Sequence, residues 1–202
     1  MPPVVEFHFD VGSPNAYFCH KVLPSMAART GVPVRYVPVL LGGVFKLTNN
    51  QAPMVQFKGI KNKNEYQRLE MVRFIKKHGL THFQMNPHFP VNTVTIMRGA
   101  VAADMDGKLA AYADAVFHHM WEAPKKMDDA EVIRSALDLS GLDGARLLAR
   151  AQDQDVKDAL LKATEASVAR GSFGSPTFFV GDEMYFGKDR LRDVEDDISS
   201  RK

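Results

Sequence analysis

The chain opens on a strict alternation of apolar and polar residues. Val5, Phe7 and Phe9 alternate with Glu6, His8 and Asp10, the period of two that predicts a strand over residues 4–10. Val11-Gly12 reads as a turn. Ser13 is a good N-cap and Pro14 a good first helical residue, so a helix is expected to about Thr30, ended by Gly31. Tyr17, Val22 and Met26 are among its apolar positions, and Pro24 inside it predicts a kink. Residues 34–41 read as a second, more hydrophobic strand, parallel to the first in a right-handed β-α-β unit. Gly42-Gly43 and the run from Asn49 to Pro53 bracket an expected loop.

From Tyr66 to Arg170 the pattern is helical. Helices are expected over 66–77, 93–105, 109–122, 128–140, 143–151 and 153–170, with Asp128, Asp143 and Asp153 as N-caps and His88-Phe89-Pro90 extended between them. Residues 177–180 and 183–186 then read as a hairpin across Gly181-Asp182, and 189–201 as a closing helix. Residues 1–63 and 171–202 are expected to form one α/β domain, with 64–170 an all-helical insertion. A substrate pocket is expected where the two meet.

Composition narrows the chemistry. At 202 residues, 45% hydrophobic and 25% charged, the chain is long enough for a substantial core and ordinary for a globular protein. A net charge of +2 gives no electrostatic case for nucleic acid. The basic run Lys58-Gly59-Ile60-Lys61-Asn62-Lys63 lacks interleaved aromatics and reads as a solvated loop. One cysteine, Cys19, excludes an intrachain disulfide, a C-x-x-C pair and a multi-thiolate metal site. It reads as a small buried apolar residue. No apolar run approaches the length of a membrane span, and Met1-Pro2-Pro3-Val4 has no signal-peptide character, so a cytoplasmic protein is expected.

Two segments carry the candidate chemistry. Ser13 sits at a helix N-terminus, where unpaired N–H donors and the positive end of the dipole favour an anion such as a thiolate. Its hydroxyl is placed to cap the helix, to hydrogen-bond a ligand's thiolate, or both. Gly174-Ser175-Pro176-Thr177 leads straight into the last hairpin. Pro176 is either a strand-entry proline or a cis proline, and the latter turns the backbone of Ser175 toward an extended peptide. A strand followed by Ser-Pro at one end, and Gly-x-Pro followed by a strand at the other, is the layout of a thioredoxin-type fold. Lys188 and Asp189 open the closing helix, where a carboxylate suits the dipole and would also suit an amino-acid ammonium group. His78 and His82 straddle a helix end, and His118 and His119 point to different faces, so no metal site is expected. Trp121 reads as core.

Phe9-Asp10-Val11-Gly12-Ser13-Pro14-Asn15-Ala16-Tyr17, Asn50-Gln51-Ala52-Pro53, Phe89-Pro90-Val91-Asn92 leading to Arg98-Gly99-Ala100, Gly174-Ser175-Pro176-Thr177 and Phe186-Gly187-Lys188-Asp189-Arg190-Leu191 occur in one order over nearly the whole chain. Together they resemble the 2-hydroxychromene-2-carboxylate isomerase family, which belongs with the kappa-class glutathione transferases in the DsbA-like branch of the thioredoxin fold. The resemblance implies glutathione as cofactor. Ser13 matches the serine on the glutathione sulfur, Asn50 and Lys58 match residues on the tripeptide, and Ser175 before Pro176 matches the backbone pair for its cysteinyl unit. Lys188 and Asp189 match positions at its γ-glutamyl end. Ser175 departs from a usual bulky aliphatic residue, and Lys188 from a smaller polar one. The resemblance also implies an aromatic carboxylate substrate, for which Lys46, Lys58 and Lys61 are candidate cation partners, and a homodimer.

Three functions stay open on the sequence: a glutathione-dependent cis–trans isomerase, a kappa-like glutathione transferase or peroxidase, and a non-catalytic peptide-binding domain. A disulfide oxidoreductase is disfavoured because Ser13 stands where its reactive cysteine would be.

Overall fold

A computed structural model of the chain describes residues 4–201, so the reading of Met1 to Pro3 lies outside it. Its centre is a four-stranded sheet in the order β2-β1-β3-β4. β1 (Val5–Phe9) pairs in parallel with β2 (Val34–Pro38) across α1 (Pro14–Thr30), as the β-α-β reading expected. On its other side β1 pairs antiparallel with β3 (Thr177–Val180), which forms a hairpin with β4 (Glu183–Phe186) across Gly181, whose φ is +61°. A short 3₁₀ turn (Lys188–Arg190) leads into α10 (Leu191–Ser200).

Between β2 and β3 run α2 (Leu41–Thr48), α3 (Pro53–Gln56), α4 (Lys63–His78), α5 (Val94–Met105), α6 (Leu109–Trp121), α7 (Ala130–Leu139), α8 (Gly144–Arg150) and α9 (Gln154–Ala169). The fold is a DsbA-like thioredoxin fold carrying a large helical insertion. Among the described residues no helix is long and apolar enough to cross a membrane.

Several local readings are corrected. The second strand stops at Pro38, and the expected loop around Gly42-Gly43 is α2. Leu41, Val44, Phe45 and Thr48 have helical spacing, and the glycine pair masked it. Gly43 lies close to α9: a Cβ there would lie 3.2 Å from Thr164 Cγ2. The N-cap of α7 is Asp129, not Asp128; its carboxylate accepts from the N–H groups of Glu131 and Val132. His88-Phe89-Pro90 lies in a turn with a cis Phe89-Pro90 bond, not an extended segment. The closing helix begins as the 3₁₀ turn, one residue before Asp189. α1 runs through Pro24 without ending.

β1 is buried beyond what its alternation requires. Its polar residues do not face water: His8 is 3% exposed and Asp10 is fully buried. β1 is an inner strand whose Phe7 and Phe9 pack on Phe178 of β3 and Phe117 of α6, while its other face meets α9 through His8 and Ser167. The buried polar groups are hydrogen-bonded, as burial requires. His8 Nδ1 meets Ser167 Oγ at 2.9 Å, and its Nε2 meets Glu6 at 3.0 Å. Burial pushes the His8 ring down, against the opposing pull of Glu6. The insertion joins the same core: Trp121, Ile96, Met97 and Tyr112 are buried with Tyr17 and Phe18 of α1.

Candidate functional site

The site is the meeting of three chain reversals at one end of the inner strands β1 and β3. The β1–α1 turn places Ser13 in extended backbone at the N-cap of α1. Its Oγ accepts the Ala16 N–H at 3.2 Å, the bond that defines a capping serine. The same hydroxyl donates to the carbonyl oxygen of Ser175 at 2.9 Å. No acidic residue occupies the first turn of α1, so nothing there neutralises its positive end.

The Ser175-Pro176 bond is cis, which resolves the choice left open for Pro176. Ser175 is 8% exposed, and its side chain accepts the Asp10 N–H at 3.0 Å. The departure at Ser175 is thus built into the sheet: a hydroxyl takes the last donor of β1 where an aliphatic side chain has no acceptor to offer. Its backbone N–H has no hydrogen-bond partner among the described residues. Gly174 is fixed by close approach, since a Cβ there would lie 2.8 Å from the Phe186 ring.

Asn50 joins the same loop. Its amide nitrogen donates to the Phe173 carbonyl oxygen at 2.8 Å and its Oδ1 accepts the Gln51 N–H at 2.8 Å. The Gly187 N–H donates to the Pro176 carbonyl oxygen at 3.0 Å, which sets the 3₁₀ turn of Lys188 and Asp189 beside the proline. The two side chains part there. Asp189 is exposed, whereas Lys188 is 4% exposed with its ammonium 5.2 Å from the Phe74 ring, paired with Asp189. Lys188 lines a cavity of about 430 Å³ between α1, α4 and α10, on the side of Val22 and Met26. Lys58 lies after α3, exposed and in none of these contacts, as do Lys46 on α2 and Lys61. The structure therefore brings Ser13, Ser175, Pro176 and Asn50 together and seats the Lys188-Asp189 backbone against them; it leaves Lys58 apart.

Sequence reasoning missed Asp10. Its carboxylate accepts from the Gly12 N–H at 2.8 Å, the Leu41 N–H at 2.7 Å and the Thr93 hydroxyl at 2.9 Å. Its carbonyl oxygen accepts the Ser13 N–H at 3.0 Å. Burial pushes the carboxyl up, and the three donors hold it down against that. Trp121 was also read too simply. It is core, but its Nε1 donates to the Val11 carbonyl oxygen at 2.8 Å beside Ser13. Tyr17, one turn along α1, donates to Glu122 at 2.9 Å. Burial raises the Glu122 carboxyl, yet hydrogen bonds from His118, Lys21 and Tyr17 bring it to about 2. The hints of Asp10 in the sequence were a carboxylate at the end of an apolar strand and its place in the Phe9 to Tyr17 motif, neither of which assigned it a role. Cys19 is fully buried, and burial pushes its thiol far up, so it supplies no thiolate. Among the described residues no group of three His, Cys, Asp or Glu side chains is placed to hold a metal ion.

The set offers hydrogen-bonding groups that an extended thiol peptide could use. The cis-proline loop offers an unpaired backbone donor at Ser175, and Asn15 Oδ1 in the first turn of α1 is a buried acceptor without a partner. Ser13 offers a hydroxyl and an unopposed helix N-terminus.

Known proteins bear on this geometry. Residues 4–199 match the DSBA-like thioredoxin domain family. The 2-hydroxychromene-2-carboxylate isomerase of Pseudomonas putida is 26% identical over 190 residues, covering 93% of this chain and 90% of that protein. Glutathione S-transferase kappa 1 of Rattus norvegicus is 28% identical over 200 residues, covering 94% and 88%. A solved structure of 2-hydroxychromene-2-carboxylate isomerase superposes with a TM-score of 0.80 at 26% identity, covering 98% of this chain and 95% of that one.

Proposed function

The chain belongs to the DSBA-like thioredoxin domain family, and on that premise we propose that it is a glutathione-dependent cis–trans isomerase. Its substrate class is an aromatic 2-hydroxychromene-2-carboxylate and its ring-opened o-hydroxybenzylidenepyruvate, with one ring or several. The observation that carries the reading is the Ser13 hydroxyl: an oxygen at the N-terminus of α1, seated 2.9 Å from the carbonyl of Ser175 before a cis proline. A redox thiol is absent there, while the surroundings that favour a thiolate remain.

Held by these residues, glutathione would supply a thiolate nucleophile for reversible addition to the substrate's conjugated double bond, the chemistry that allows rotation about that bond. The chain's own residues do the rest. Ser13 turns its hydroxyl hydrogen from the Ser175 carbonyl toward the sulfur and, with the N-terminus of α1, lowers the thiol pKa. The Ser175 N–H and carbonyl pair with the cysteinyl backbone, Pro176 holding them outward. Asn50 contacts the tripeptide while bracing the loop through Phe173. Asp189 takes the γ-glutamyl ammonium, and the N–H groups of its turn take the carboxylate. Lys188 acts by fixing that turn, because its ammonium is buried under Phe74. Lys58, exposed and unengaged, is assigned to the glycyl end. The protein is proposed to act as a cytoplasmic homodimer, a state that sedimentation analysis reads directly.

The test is the ultraviolet change of a 2-hydroxychromene-2-carboxylate with and without glutathione. Isomerisation that needs catalytic glutathione supports the reading; a rate indifferent to glutathione overturns it. The kappa-class relative at 28% identity favours a second reading, conjugation of glutathione to other electrophiles. Consumption of glutathione with 1-chloro-2,4-dinitrobenzene, without isomerisation, decides for it.

A further inference from the structure

The helical insertion grips the turn that carries Ser13 at three points. The Thr93 hydroxyl donates to Asp10 Oδ2 at 2.9 Å, the Val11 N–H meets Met97 Sδ at 3.5 Å, and Trp121 Nε1 donates to the Val11 carbonyl oxygen at 2.8 Å. Thr93 and Met97 are one turn apart on α5, and Trp121 ends α6.

Thr93 is unusual for a residue in its place. It is the N-cap of α5, where a threonine ordinarily accepts an N–H of its own first turn, and it makes no such bond. Its hydroxyl crosses to β1 instead. Gly12 lets it approach: a Cβ there would lie 2.8 Å from Thr93 Cγ2 and 3.2 Å from Asp10 Oδ1. The acceptor is equally committed. Asp10 is fully buried, no Lys, Arg or His pairs with it among the described residues, and its two oxygens are shared by Gly12, Leu41 and Thr93. Its backbone then holds both halves of the site, Ser13 through its carbonyl and Ser175 through its N–H.

We propose that Asp10 and Thr93 are a positioning pair through which the helical insertion sets Ser13, the hydrogen-bond donor to the thiol. Neither residue touches the reacting atoms. The inference rests on the glutathione reading for its kinetic consequence but not for its structural one, and the experiment separates the two.

Thr93→Val removes the hydroxyl and keeps the shape; Thr93→Ser keeps the hydroxyl. In the full chain, Thr93→Val is expected to lower the glutathione-dependent kcat about tenfold while the KM for glutathione stays within about twofold, because geometry is lost and not binding contacts. Thr93→Ser restores kcat to within about twofold of the wild type. Without glutathione, amide hydrogens of Gly12 and Ser13 exchange about tenfold faster in Thr93→Val than in Thr93→Ser, while those of α9 are unchanged. Asp10→Asn, which places an amide among three donors, shows the same pattern more strongly if it folds. Equal kcat and equal exchange in the two Thr93 variants overturn the inference, as does a loss confined to KM or a faster exchange spread over all helices. A wild type without glutathione-dependent activity overturns the functional reading alone, and the exchange comparison then still decides the positioning pair.

Discussion

One oxygen, Ser13 Oγ, accepts the Ala16 N–H and donates to the Ser175 carbonyl. Its structural and functional roles separate because glycine is nearly as good an N-cap as threonine. Ser13→Ala is expected to destabilise the protein by about 1 kcal/mol more than Ser13→Gly, measured by urea unfolding. Both should lose about a hundredfold in kcat, as when an anion-stabilising donor is removed. Wild-type turnover in Ser13→Gly would show that the hydroxyl serves the helix alone. A second residue-scale prediction concerns His119, 6% exposed, with Nε2 on Ser140 Oγ at 3.1 Å and Nδ1 unpaired. Burial brings its pKa from 6.5 to about 4, with Lys125 and His118 adding to the fall. The unfolded chain therefore binds the extra proton first. The stabilisation is present above pH 6.5 and is lost as pH falls toward about 4. Unfolding free energy should drop by about 3 kcal/mol over that window, and His119→Gln should flatten the slope. An unchanged slope in the variant refutes the assignment.

At the scale of elements, the β1–α1 turn is held by other elements. Gly12→Ala forces a Cβ against Thr93 Cγ2 and should cost about 1–3 kcal/mol, the usual cost of overpacking. Adding Thr93→Ser removes the opposing methyl and should recover much of the loss; a strictly additive double variant contradicts the contact. Trp121→Phe keeps the ring among Phe83 and Phe89 but leaves the Val11 carbonyl unpaired, for a loss of about 1–3 kcal/mol in thermal unfolding. Elements with strong periodicity were legible from the sequence: β1, α1 with its Ser13 cap and Gly31 stop, α5, α6 and the Gly181 hairpin. α2 was not. Its first N–H is satisfied by Asp10 from another strand, a cap that local sequence does not contain.

For the whole molecule, binding of glutathione to the folded state alone should raise stability by about 2.7 kcal/mol at a hundred times its Kd, and the melting temperature should climb with its concentration. A melting temperature indifferent to glutathione at millimolar levels removes the tripeptide from the site. The family resemblance singled out Asn50; the sequence by itself determined the order of the main elements apart from α2 and α3, the helical insertion, the absence of a redox thiol pair and the candidates Ser13, Ser175 and Pro176. These follow from periodicity, turn chemistry and residue type, which are local. Only the tertiary structure decided that the polar face of β1 is buried, that Lys188 turns inward under Phe74 while Lys58 stays apart, and that Asp10 joins the insertion to Ser13. Each depends on what packs against a residue from a distant part of the chain. A period of two cannot say whether a second layer covers the polar face of a strand.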